Sequence, residues 1–229
     1  MYTTIFFDLD DTLWDTIGNA KQCLHELYNE YDISRFYPTF DDFYKVYFKN
    51  TEVLWEKYSK GLIDKPTIIH SRFRNPFIHF EEPTDEMADE MNSDFFKRIT
   101  TKSTLIDGAI DLLDYLHDKY RMHIISNGFS ELQDKKINGS GLGKYFDKIV
   151  LSDAIGVNKP NPLIFNHLLN KAGVSPSEVV MIGDNIDTDI MGAKNSGIDQ
   201  VWFNPNNGNR KDILPTYTVQ HLAEIKSIL

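Results

Sequence analysis

Five short apolar runs constrain the fold of this 229-residue chain more than any other feature. They are Thr3 to Phe7, Met122 to Ile125, Ile149 to Leu151, Val179 to Ile182 and Gln200 to Phe203. Each is continuous rather than alternating, as expected for strands covered on both faces. Amphipathic segments lie between the later runs. Ile110 to Tyr120 puts Leu112, Leu113, Leu116 and Tyr120 on one stripe, and Leu163 to Ala172 does the same with Ile164, Phe165, Leu168 and Leu169. Strands alternating with helices predict a Rossmann-like α/β domain, a parallel sheet between two helical layers with right-handed crossovers.

Residues 16–103 read differently. Helical periodicity runs over Ile17 to Tyr31, Phe40 to Ser59, Lys65 to Phe80 and Asp85 to Ile99, with breaks at Pro38, Gly61, Pro66 and Pro83. Aromatic residues crowd this stretch, among them Phe43, Tyr47, Trp55, Phe73 and Phe77. The expectation is an all-helical cap domain over 16–103, inserted after the first strand of a sheet domain formed by 1–15 and 104–229.

Composition narrows the partners. The formal charge is -10, from 24 Lys+Arg against 34 Asp+Glu, and a surface that acidic repels nucleic-acid polymers. A small phosphorylated metabolite remains compatible, because a local lysine and a metal can outvote the global field. The single cysteine, Cys23, cannot form an intramolecular disulfide and fits a reducing compartment. No apolar stretch approaches the roughly 20 residues that a membrane-spanning helix needs. The expectation is a soluble cytoplasmic protein with no membrane partner. The sequence carries no reading of oligomeric state.

The chemistry sits where the runs end. The first ends in Asp8-Leu9-Asp10-Asp11-Thr12, the second in Ser126-Asn127-Gly128, and the fourth in Gly183-Asp184-Asn185-Ile186-Asp187-Thr188-Asp189; the third leads through a short loop to Lys159-Pro160. In open parallel sheets the ligand crevice lies outside the carboxyl ends of the strands. Asp8 and Asp184 with a nearby carbonyl make a hard oxygen site that suits Mg²⁺. A hydroxyl, an amide and a lysine suit a phosphate. An acidic metal pocket beside a phosphate pocket is a phosphoryl-transfer layout. Two competing motifs fail. An EF-hand over 8–19 would need Gly where Leu13 stands and Glu where Asn19 stands. A phosphate loop ending at Lys144 would need Gly where Asn138 stands, so Gly141 and Gly143 are expected to end a helix instead.

These pieces, in this order, resemble the haloacid dehalogenase-like hydrolase superfamily: FDLDDTL with Asp8 and Asp10, IISNG with Ser126, NKPNPLIF with Lys159, and GDNIDTD with Asp184 and Asp189. The helical insert is similar to the cap of the branch that carries it between the first two motifs. The stretch Gly61 to Phe73 resembles nucleotidase-like caps more loosely. The resemblance implies that Asp8 is a nucleophile forming an aspartyl-phosphate. It implies Mg²⁺ held by Asp8, the carbonyl of Asp10 and Asp184. Lys159 would balance the charge of Asp8 and the phosphoryl group, and Ser126 with the Asn127-Gly128 backbone would hold that group. Asp10 would act as acid and then base, with a pKa raised by neighbouring carboxylates. Asp189 would orient Lys159 or metal waters, and Thr12 would brace the turn presenting Asp8.

The implied function is a Mg²⁺-dependent phosphatase of small phosphomonoesters, with a nucleoside 5′-monophosphate as substrate and a sugar phosphate as the alternative. The aromatic residues of the insert would stack on a base or form only the insert's own core. The catalytic residues alone leave phosphomutase chemistry open. Dehalogenation is disfavoured because displacing a halide needs no acid such as Asp10. A receiver-type signalling module would carry its phosphorylated aspartate after a later strand, in about half this length.

Overall fold

The computed structural model describes residues 1–81, 85–210 and 212–229. The chain divides into two compact units, Met1–Thr16 with Ser103–Leu229, and Ile17–Lys102.

In the first unit, six strands among the described residues form one parallel sheet in the order β3-β2-β1-β4-β5-β6. They are β1 (Thr4–Phe7), β2 (Arg121–Ser126), β3 (Lys148–Leu151), β4 (Val179–Gly183), β5 (Asp199–Phe203) and β6 (Tyr217–Val219). The five apolar runs are five of these strands. The sixth, Tyr-Thr-Val, is three residues long with two of them exposed, too short to register as a run. β1 is central. Ile5 is opposite both Met122 of β2 and Val180 of β4, and every residue of β1 is buried.

Crossover helices cover the sheet: α5 (Ala109–His117), α6 (Ser130–Gly139), α7 (Ser152–Ile155), α8 (Pro162–Ala172) and α9 (Met191–Asn195). α8 starts cleanly because Asn161 caps Leu163 N–H and Pro162 occupies the first turn. Its Ile164, Phe165, Leu168 and Leu169 pack with Phe6, Ile125, Val150, Val179 and Met181. Each such buried side chain contributes about 1.5–3 kcal/mol of transfer free energy. α6 ends before Gly141, whose φ of +72° is the left-handed conformation that glycine adopts without strain. Gly143 belongs to the single helical turn that follows, Leu142–Tyr145, rather than to the end of α6.

The second unit contains α2 (Phe40–Ser59), α3 (Lys65–Arg74), α4 (Asp85–Ile99) and nearly all of α1 (Thr16–Glu30). The periodicity over 65–80 overran α3, which stops at Arg74. Asn75 precedes Pro76 and the chain tightens into a short 3₁₀ turn, because proline disfavours continued α-helix before it. The aromatic residues are largely this unit's own core. Tyr47 meets Phe73 at 5.0 Å, Phe73 meets Phe95 at 5.7 Å and Phe43 stacks on Phe77 at 5.9 Å. Of the two roles expected for these rings, core packing rather than base stacking is the one that these buried ones have. No helix among the described residues is long and apolar enough to cross a membrane.

Candidate active site

The carboxyl ends of β1, β2 and β4 and the loop after β3 bring most of the expected residues together. Asp8 follows β1 directly and is 6% exposed. Its Oδ1 accepts from Lys159 Nζ at 2.6 Å, and its Oδ2 accepts from Thr12 Oγ1 at 3.2 Å. Thr12 Oγ1 also lies 3.2 Å from Asp184 Oδ1 and accepts the Asp184 backbone N–H at 3.0 Å. It therefore ties the ends of β1 and β4 to each other.

Lys159 is 2% exposed. Besides Asp8, its Nζ donates to the Ile125 carbonyl at 2.8 Å and sits 2.7 Å from Asp189 Oδ1. Burial favours its neutral form, but Asp189 and Asp8 outweigh burial and hold the proton above the ordinary lysine range. Asp189 reaches Lys159 from a single π-helical turn, Ile186–Ile190. Its Oδ2 accepts from Asn185 N–H at 3.1 Å. Gly183 makes room for it, since a Cβ there would lie 2.4 Å from Asp189 Oδ2.

Carboxylate oxygens of Asp8, Asp184 and Asp189 all lie within 4.8 Å of one another. The crowding shows in the proton affinities of Asp8 and Asp184. Burial, with repulsion from Asp189 and Asp10, raises Asp8 to about 7 against the opposing pull of Lys159. Burial and repulsion from Asp8, Asp189 and Asp11 push Asp184 well above the usual carboxylate range. Three acids thus share one ammonium. Hard oxygen donors with too little positive charge among them fit a small divalent cation such as Mg²⁺. Asp8 and Asp184, the two acids expected from the sequence, are among the side chains that could hold it.

Asp10 departs from expectation. Its side chain turns away from this cluster. Oδ1 accepts from Lys136 Nζ at 2.5 Å and from Thr16 Oγ1 at 2.7 Å, and Oδ2 accepts from Gln133 Nε2 at 2.5 Å. Burial pushes the Asp10 carboxyl up, but the Lys136 charge and the hydrogen bonds from Lys136, Thr16 and Gln133 outweigh it and hold Asp10 below its ordinary range. A pKa raised by neighbouring acids is therefore not what the free protein has. The lysine that reverses it also lies over the buried Trp14 ring, 4.3 Å from its centroid.

The Asn127-Gly128 turn also differs. The Asn127 side chain donates to the Lys159 carbonyl at 3.0 Å and accepts the Lys159 N–H at 2.7 Å, so it clamps the Lys159 backbone. The Gly128 N–H, expected to face a phosphoryl group, donates to Ser126 Oγ at 3.1 Å. Asp187 pairs with Arg210 at 2.8 Å, and Arg74 pairs with Asp89 at 2.8 Å. Arg72 is buried, with its guanidinium over the Phe95 and Phe96 rings.

Sequence reasoning missed Gln133 and Lys136. The available signal was their i, i+3 spacing on a helix that begins just past Ser126, which places them on one face.

The model of the haloacid dehalogenase-like hydrolase family matches residues 2–197. The chain belongs to this family. It is 32% identical over 227 residues to the pyrimidine 5′-nucleotidase YjjG of Escherichia coli, covering 98% of this chain and 96% of the relative. It is 29% identical over 231 residues to the pyrimidine 5′-nucleotidase PynA of Streptococcus pneumoniae, covering 100% and 95%. Among solved structures it superposes on the HAD-hydrolase YfnB of Bacillus subtilis, bound to magnesium, with a TM-score of 0.91 at 28% identity and coverage of 100% and 98%.

Proposed function

We propose that this protein is a Mg²⁺-dependent phosphatase of small phosphomonoesters that works through an aspartyl-phosphate, with pyrimidine nucleoside 5′-monophosphates as its substrates. The observation that carries the reading is the cluster of buried Asp8, Lys159 and Asp189 with half-buried Asp184 at the strand ends. The two nucleotidases similar over the whole chain support the substrate class.

A carboxylate oxygen of Asp8 forms a bond to phosphorus as the bond from phosphorus to the ester oxygen breaks. Lys159, fixed by Asp189, keeps positive charge beside Asp8 and the phosphoryl oxygens. The Ser126 hydroxyl and the Asn127 backbone N–H donate to the transferring group. When held by Asp8, Asp184 and the Asp10 carbonyl, Mg²⁺ supplies charge compensation for the phosphate dianion. Asp10 gives a proton to the leaving oxygen. It is ionised beside Lys136 in the free protein, so it acquires that proton as the substrate's negative charge raises its proton affinity. In the second step Asp10 takes a proton from water, the water oxygen bonds to phosphorus, and the bond to Asp8 breaks.

The test is a phosphate-release screen over pyrimidine and purine nucleoside 5′-monophosphates and sugar phosphates, with and without Mg²⁺, for the natural protein and Asp8→Asn. The expected result is Mg²⁺-dependent release, fastest from pyrimidine nucleotides, and none from Asp8→Asn. Release that persists in Asp8→Asn overturns the nucleophile. Phosphate moved within the substrate without free phosphate appearing replaces hydrolysis by mutase chemistry.

A further inference from the structure

We infer that Gln133 is a positioning residue that sets two parts of the phosphoryl-transfer site at once, fixing the Ser126 hydroxyl as an outward proton donor and pinning the Asp10 carboxylate. The inference rests on the function proposed above.

Gln133 lies one turn into α6 and is fully buried. Its Nε2 donates to Ser126 Oγ at 2.8 Å and to Asp10 Oδ2 at 2.5 Å. Turning the amide around would set its oxygen against a carboxylate oxygen of Asp10 and forfeit both hydrogen bonds. Both Nε2 protons are thus committed, one to each partner.

The consequence for Ser126 follows from counting its bonds. A hydroxyl has two acceptor sites and one proton. Gln133 Nε2 and the Gly128 N–H fill both acceptor sites. The proton of Ser126 must therefore be given to a third group, and no acceptor for it is present among the described residues. An oxygen of a bound phosphoryl group is the acceptor that the site's chemistry supplies. Without Gln133 the hydroxyl could rotate and spend its proton locally.

Two observations separate this from ordinary packing. Gln133 Oε1 is buried without a hydrogen-bond partner among the described residues, a cost that an apolar side chain of the same size would avoid. Gly128 also leaves room for the amide, since a Cβ there would lie 1.9 Å from Gln133 Nε2.

The experiment compares Gln133→Met, which keeps the shape and removes the amide, with the natural protein. Thermal stability is expected to change little, because the unpaired Oε1 is removed together with the bonds to Asp10 and Ser126. The value of kcat/KM for a pyrimidine nucleoside 5′-monophosphate is expected to fall about 10- to 100-fold, the size of a hydrogen bond to a charged group. Inhibition by inorganic phosphate should weaken. In a Ser126→Ala background the same substitution should weaken it no further, because the effect acts through Ser126. Loss with p-nitrophenyl phosphate, whose leaving group needs little proton donation, should be smaller than with the nucleotide. Stability that falls in step with activity makes Gln133 a packing residue and overturns the inference. So does wild-type kcat/KM, or a full additional loss of phosphate inhibition in the Ser126→Ala background. If Asp8→Asn is inactive while Gln133→Met is fully active, the inference alone fails and the proposed function stands. If Asp8→Asn stays active, both fail.

Discussion

Lys159 Nζ lies 2.7 Å from Asp189 Oδ1, with both side chains almost wholly withdrawn from solvent. The same ammonium is 2.6 Å from Asp8. Removing one member of a buried ion pair leaves its partners uncompensated, which costs about 3–5 kcal/mol. Lys159→Met should therefore lose stability of that order near pH 8, above the folded pKa of about 7 that Asp8 has beside Lys159. Without Lys159 the Asp8 carboxyl has its proton affinity raised further above its unfolded value. Its stabilising protonated form is present at low pH and is lost as pH rises through the folded pKa. The deficit should accordingly shrink at pH 5. Denaturant unfolding at both pH values checks this, and an equal deficit at both would contradict it.

Proton and cation compete for the same oxygens. Asp8 is raised to about 7 and Asp184 is raised as well, and a cation binds their ionised forms. The increase in Tm on adding MgCl₂ should be large at pH 8 and small at pH 5.5, with affinity falling about tenfold per pH unit for each proton displaced. Asp184→Asn should remove most of the increase. A shift independent of pH would place the cation elsewhere.

Gly183 admits Asp189 to Lys159, and the added methyl of Gly183→Ala would drive that carboxylate aside. The expected cost is about 1–3 kcal/mol, as for other overpacked interiors, together with loss of phosphatase activity. Gly139→Ala is the control, since a Cβ there meets nothing within 4 Å. Equal behaviour of the two variants in melting and turnover assays would sink the argument.

Cys23 is fully buried, and burial pushes its thiol up to about 11. At pH 8 only about one molecule in a thousand carries the reactive thiolate. An alkylating or disulfide reagent should leave the native protein untouched for long times and label it fully in denaturant. Rapid labelling of the native protein would mean that the helical unit opens readily.

The sheet was legible because doubly covered strands must be continuously apolar, as β1 and β4 are. The site was legible as far as it depends on strand ends: Asp8, Ser126 and Asp184 each follow or finish an apolar run. What escaped depends on distant partners. The acids near Asp10 suggested a raised pKa, but Lys136, 126 positions away, reverses the sign. Gln133 and Lys136 read as a polar helix face, and only the placement of α6 turns that face inward. Only the backbone of Asn127 was given a role, whereas its side chain clamps a backbone 32 positions on.

The insertion begins and ends at one seam. The Asp15 N–H donates to the Thr104 carbonyl at 3.1 Å, and the Ile106 N–H donates to the Leu13 carbonyl at 2.9 Å. All six strands lie outside residues 17–102. A short turn could bridge Asp15 and Thr104 at a modest closure entropy. The sheet can thus keep its register while whatever is spliced in at this junction is traded, lengthened or dropped, so one hydrolytic engine can be inherited with many different attachments.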